Sequence, residues 1–177
     1  MKAFWVKGLR FINQGMTMIE ILIVMGIVMI LLGIAWLEFS TWVKKYDIER
    51  QIYMLHAQLL KSRSTAMFRN RTHFVVLKEG SFSIIDDTNP SPFGDGVNTS
   101  ADTVILAETA LIHPINQPST ITFNARGLTP LNQTRTICVY SEVHPDADCI
   151  VVHRARINIG CIIRQDDVCS SENCRTK

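Results

Sequence analysis

Residues Ile21 to Leu37 read ILIVMGIVMILLGIAWL, a run without charge that has Glu20 at its front edge and Glu38 at its back edge. Its seventeen residues, extended by Met16, Met18 and Ile19, are enough to cross a bilayer as a helix. Lys2, Lys7 and Arg10 precede it and no acid does. The positive-inside bias therefore keeps the N-terminus cytoplasmic and puts everything after Leu37 on the other side. A secretory signal would end in a small-residue cleavage site after its apolar core. Here Ala35 is followed by Trp36, Leu37, Glu38 and Phe39. The glycine stands before the core instead, so a cut after Gly15 would remove the basic leader and keep the apolar helix.

Gly15-Met16-Thr17-Met18-Ile19-Glu20 resembles the type III signal of type IV pilins and pseudopilins, a Gly followed by FTLIE and a hydrophobic helix. Gly15, Thr17, Ile19 and Glu20 match; Met16 and Met18 stand where the pattern has Phe and Leu. The resemblance implies cleavage after Gly15 by a prepilin peptidase, N-methylation of Met16, and filament assembly with other pilins on an inner-membrane platform. In that family the acid at the position of Glu20 neutralises the N-terminal amine of a neighbouring subunit. Physical chemistry points the same way, because a carboxylate at the edge of a hydrocarbon segment needs a partner. The plainer reading is a single-span anchor in membrane lipid with Glu20 at headgroup level.

A chain of 177 residues leaves residues 41–177 for one compact domain with a real core. The net charge of +2 hides a segregation along the soluble part. From Thr41 to Lys78 there are eight basic and two acidic residues; from Glu79 to Ala125, six acidic and none basic; from Arg126 to Lys177, seven basic and six acidic. Such blocks suit electrostatic packing within or between subunits, not bulk binding of a polyanion. Five cysteines, Cys138, Cys149, Cys161, Cys169 and Cys174, lie near the C-terminus. Beyond a bacterial inner membrane disulfides are permitted. Two bridges and one free thiol leave the connectivity open. The spacing Cys161-x7-Cys169-x4-Cys174 lacks the tight knuckle of a zinc site.

No Pro or Gly interrupts the chain between Ile34 and Asn70. Ile48, Ile52, Leu55, Leu59, Ser62 and Ala66 form one helical stripe, so the helix is expected to continue past the membrane. From Met16 to about Met67 it would be roughly 78 Å long. Gly26 and Gly33, seven apart, permit close approach of a neighbouring helix. Leu37 occupies a position where many major pilins carry Pro. Lys61, Arg63 and Arg69 fit a solvated helix end that favours cations. After Asn70 the period changes to two. Residues His73–Lys78 and Ser81–Asp86 flank Glu79-Gly80 as a β-hairpin, and 87–100 is a loop. Further strands are expected at Thr103–Ala107, Thr120–Asn124, Thr136–Tyr140, Cys149–His153 and Arg156–Gly160, with a turn at Val143–Asp148. One long helix followed by short strands is an α+β pattern. The expected organisation is thus a leader (1–15), a membrane or filament-core helix (16–40) and a periplasmic domain (41–177).

Ser62-Arg-Ser-Thr-Ala-Met67, Ile121-Thr-Phe-Asn-Ala-Arg-Gly-Leu128 and Arg156-Ile-Asn-Ile-Gly-Cys161 are similar to segments of the GspH/FimT group of pseudopilins and minor pilins. That resemblance implies a type IV pilin-like fold, a spine helix packed on antiparallel β-sheets. It also implies a role in type II secretion or, alternatively, in a type IV pilus. Some FimT proteins take up DNA through arginines of a GRxR segment. The counterpart here is His153-Arg154-Ala155-Arg156. Arg154 and Arg156, two apart on a strand, would share one face and suit phosphate; pairing with Asp146, Asp148 or a neighbouring subunit is the plainer reading, since no aromatic residue lies nearby for base stacking. His144, Asp146 and Asp148 crowd one turn but belong to no nucleophile, P-loop or HExxH motif, so no enzyme activity and no cofactor are expected. Asp86, Asp87 and Asp95 border a loop but lack EF-hand spacing.

Overall fold

In the computed structural model of the chain, residues 17–92, 94–131, 134–165 and 168–176 are described, with backbone alone at 35 and 37. The chain divides into two units, one through Ser40 and one from Thr41 onward. The first unit, as described, is helix: α1 spans Met18–Arg69, and no described side chain before Thr41 is buried. It includes an 18-residue window apolar enough to cross a membrane. Gly26 and Gly33 are not required by this chain's own packing, since a Cβ at either would meet nothing within 4 Å. The leader, with Gly15 and Met16, lies outside the described residues.

The second unit is organised on the later part of α1. Ile48, Ile52, Leu55, Leu59, Ser62 and Ala66 are all buried, as their spacing requires. Gln51 is buried beside them, off the apolar stripe. Its amide nitrogen donates to the His113 carbonyl at 2.7 Å and its oxygen accepts the His113 N–H at 2.8 Å. A side-chain amide here completes a backbone pair, which is how a polar group enters the core at no loss of hydrogen bonding. The helix ends in a Schellman motif. Asn70 takes a left-handed conformation (φ 53°), and the Arg71 N–H bonds to the Ala66 carbonyl at 3.2 Å.

Among the described residues eight strands follow: β1 His73–Lys78, β2 Ser81–Asp86, β3 Thr103–Ala110, β4 Ser119–Phe123, β5 Arg135–Cys138, β6 Cys149–Val152, β7 Ile157–Ile162 and β8 Cys174–Thr176. They form two antiparallel sheets, ordered β3-β2-β1-β4 and β5-β6-β7-β8. In the first sheet Val75 pairs with Ile84 and Ile121, and Leu77 with Phe82. These residues and Phe123 share the core with the stripe of α1. In the second sheet Ile137, Ile150, Val152, Ile157 and Ile159 face the same core. Its opposite face holds Cys138, Cys149, Val151 and Ile162, covered by Cys169 and Cys174. The protein is an α+β, pilin-like fold: a long N-terminal apolar helix packed in its later part on antiparallel β-sheets.

Several expectations are corrected. β3 runs to Ala110 because Thr109 and Ala110 still pair with Phe82 and Ser81. β8 has no apolar alternation and pairs with β7 beside a disulfide. Arg154 and Arg156 are not on a strand. β6 stops at Val152 and β7 starts at Ile157, so the charged tetrapeptide 153–156 is the turn between them. Arg63 and Arg69 are not simply solvated: Arg63 donates to the Ala155 carbonyl at 2.8 Å and Arg69 pairs with Asp86 at 2.9 Å.

Candidate functional site

The start of α1 carries a signal that the reading of the apolar run passed over. Thr17 precedes the first helical residue and Glu20 is the third, the spacing of a capping box. The Glu20 N–H lies 3.4 Å from Thr17 Oγ1 and 3.1 Å from the Thr17 carbonyl, and the Ile21 N–H 3.3 Å from the same carbonyl. Thr17 thus accepts from the orphan donors of the first turn, and an acid in that turn complements the helix dipole. No partner for the Glu20 carboxylate is present among the described residues.

The turn bearing Arg154 and Arg156 is held by its backbone. The His153 N–H donates to the Arg156 carbonyl at 2.8 Å, closing the turn. The Arg154 carbonyl accepts from the Thr129 N–H at 3.1 Å, the Ala155 carbonyl from Arg63, and the Ile157 carbonyl lies 3.2 Å from His56 Nε2. Both arginine side chains are exposed, and no ion pair to either occurs among the described residues. Asp148 bonds elsewhere and pairs with neither arginine. It is buried and accepts from the Ile162 N–H at 2.6 Å and the Gln165 amide at 3.1 Å. Burial pushes the Asp148 carboxyl above the usual range, with those hydrogen bonds acting against the shift. Asp146 and His144 are exposed, so the acids and histidine of this turn do not converge on one buried centre. The Gly127 turn packs on the helix end. Its φ is 68°, and a Cβ there would fall 2.8 Å from Met67 Sδ.

The cysteines sort by sheet face. Cys138 bridges Cys169 and Cys149 bridges Cys174, with Cα separations of 5.9 and 6.1 Å, inside the ordinary range. Cys161 is a free, half-buried thiol. Two cysteines of the zinc-like spacing are therefore committed to bridges. Gly160 is needed where β8 crosses close: a Cβ there would run into the Arg175 carbonyl and lie 2.9 Å from Cys174 Sγ.

Acids beside the long loop also find partners within the chain, although Asp86 Oδ1 accepts no hydrogen bond among the described residues. Asp86 meets Arg69, Arg71 at 3.9 Å, and His73 Nε2 at 3.2 Å, the last outside hydrogen-bond geometry. Asp87 accepts the N–H groups of Gly96 at 2.7 Å and Asp95 at 3.3 Å. Asp102 accepts those of Thr88, Asn89 and Thr99, together with the Thr99 hydroxyl. These bonds, the Thr99 N–H first, hold Asp102 below the usual carboxylate range. Arg69 thus bonds Asp86, and backbone donors bond Asp87. Among the described residues no group of three or more His, Cys, Asp or Glu is arranged to hold a metal.

Comparison with known families gives one match. The model of the prokaryotic N-terminal methylation motif covers residues 10–36, from the last basic residue of the leader to Trp36. No curated protein and no solved structure matches the chain. A methylation motif at the head of a long apolar helix, continued by antiparallel sheets, makes this a type IV pilin-like protein.

Proposed function

We propose that the chain is a minor pseudopilin of the GspH/FimT kind, a structural subunit of a type II secretion pseudopilus that supports export across the outer membrane. A prepilin peptidase would cut after Gly15, and Met16 would become the methylated N-terminus. Before assembly the protein would sit in the bacterial inner membrane, N-terminus cytoplasmic and residues 41–177 periplasmic. Residues 16–40 would then pack among other pseudopilins on the inner-membrane platform, with Gly26 and Gly33 allowing close approach. Glu20, capped by Thr17 and without a described partner for its carboxylate, would meet the N-terminal amine of a neighbour. The match to the methylation motif over residues 10–36 supports the prepilin part of this reading. The bridged cysteines accord with an oxidising compartment.

An in-frame deletion strain tests the secretion role. Exoproteins trapped in the periplasm support it; normal export rejects it. N-terminal sequencing of the native protein tests processing, and a mature chain beginning at Met1 overturns cleavage after Gly15.

A second reading, a minor type IV pilin of the FimT kind, is favoured by one observation. Arg154 and Arg156 are exposed and unpaired among the described residues, on a turn that Arg63 and Thr129 fix by its backbone. Salt-sensitive DNA binding lost in Arg154→Ala plus Arg156→Ala supports it. Undiminished DNA retention by that variant rejects the arginine site.

A further inference from the structure

Just past the apolar run, the second unit holds a concavity of about 270 Å³ lined by Trp42, Lys45, Tyr46, Glu49 and Asp146. Trp42 and Tyr46, one helical turn apart, stack with ring centroids 6.2 Å apart and planes 12° apart. They remain 65% and 57% exposed. Glu49 Oε1 accepts the Asp146 N–H at 2.9 Å, which ties α1 to the 143–148 turn and holds the Glu49 carboxylate in the wall beside the exposed Asp146. Lys45 is half-buried, with no acid within ion-pair distance among the described residues. The site therefore presents two aromatic side chains, one unpaired ammonium and two carboxylates.

We propose that this concavity binds the headgroup of a zwitterionic phospholipid with a primary ammonium, of the phosphatidylethanolamine class, in the non-cytoplasmic leaflet. Its location follows from chain length, given the membrane reading proposed above, on which this inference rests. Trp42 is five residues beyond Leu37. As helix, Trp42 lies about 7.5 Å beyond Leu37, Lys45 about 12 Å and Glu49 about 18 Å, with side chains inclined back toward the helix N-terminus. The headgroup zone on each side of the hydrocarbon core is about 5–8 Å thick. Trp and Tyr belong at that level, and lysine side chains snorkel to it. The charges then select the headgroup. Lys45 meets the phosphate. The lipid ammonium meets Glu49, Asp146 and the aromatic faces. An anionic headgroup lacks a cation for the carboxylates and is repelled by them. A choline headgroup satisfies the rings but has no N–H to donate to Glu49.

The test uses the full chain in detergent with phosphatidylethanolamine, phosphatidylcholine and phosphatidylglycerol of identical acyl chains, and reads retained lipid by native mass spectrometry. The wild type is expected to keep phosphatidylethanolamine about tenfold better than either competitor. Glu49→Gln with Asp146→Asn keeps an acceptor for the Asp146 N–H, yet should level phosphatidylethanolamine with phosphatidylcholine. Lys45→Gln, whose side chain forms no ion pair among the described residues, should lower retention of all three lipids. Mapping of the Cys138–Cys169 and Cys149–Cys174 bridges verifies that each variant is folded. Equal retention of the three lipids by the wild type overturns the site, as does an unchanged preference in the double variant. Alkaline extraction of native membranes separates the two readings. Release into the soluble fraction overturns the membrane reading itself, whereas an inserted protein without headgroup preference overturns the lipid site alone.

Discussion

The two sheets bury themselves by different means. β2 in the first sheet alternates half-buried and buried residues along Ser81–Asp86, as a strand covered on one face does. β6 in the second is buried throughout Cys149–Val152, with one face on the core shared with α1 and the other under the C-terminal segment. Its described residues form no second helix. It is an irregular stretch ending in the three-residue β8, and two disulfides hold it down. The first sheet relies instead on aromatic packing and on carboxylates turned inward: Asp86 on Arg69, Asp87 and Asp102 on loop N–H groups. A unit of this size can cover one sheet face with a helix. For the other face it has little apolar surface left, and cross-links replace packing.

That contrast can be broken at its strongest point first. Phe123→Ala removes a fully buried ring from the core against the first sheet and should cost about 3–5 kcal/mol in chemical denaturation. A loss below about 1 kcal/mol would mean that apolar packing does not hold this sheet. Next, Cys149→Ala with Cys174→Ala opens a bridge with a sequence separation of 25 residues, worth about 3 kcal/mol by loop entropy. Hydrogen exchange should show the loss concentrated in β5–β8; equal loss across β1–β4 would erase the distinction.

Mild acid should act in the opposite region. Burial holds His73 below its ordinary value of 6.5, with Asp86 opposing the shift and Arg69 adding to it. The unfolded chain therefore takes up a proton near pH 6.5 that the folded chain does not. The stability tied to neutral His73 is whole above that pH and declines as pH falls through it. Exchange protection in β1–β4 should drop between pH 7.5 and 5.5, and His73→Gln should flatten the dependence. Smallest of all is Lys78→Ala. Its partner Glu108 is a surface residue, and the side chains are 58% and 54% exposed, so the denaturation midpoint should not move measurably.

What the sequence made legible follows from local periodicity. The 48-52-55-59-62-66 stripe and the hairpin around Glu79-Gly80 could be read because each residue's burial is set by neighbours three, four or two positions away. The Thr17–Glu20 capping spacing and the C-terminal Asn70 were equally present in the sequence, hidden only by the apolar run and the end of the stripe. Long-range features were not legible. Gln51 lies 62 residues from His113, and nothing at either position announces the pair. Cysteine pairing and β8 depend on which face each strand presents once both sheets exist. Arg154 and Arg156 were placed on a strand because a short charged segment between apolar runs looks alike as strand or turn until the pairing register is known.

The disulfide pattern also imposes an order in time. Cys138 and Cys149 sit directly opposite each other on β5 and β6, yet each is joined to a cysteine nearer the C-terminus. On the proposed topology the N-terminus stays in the cytoplasm and residues 41–177 cross in sequence order, so these two thiols arrive before either native partner. Oxidation that follows arrival would join them to each other and strand Cys169 and Cys174. On that proposed topology, any premature Cys138–Cys149 bond would have to be exchanged before the two native bridges could close.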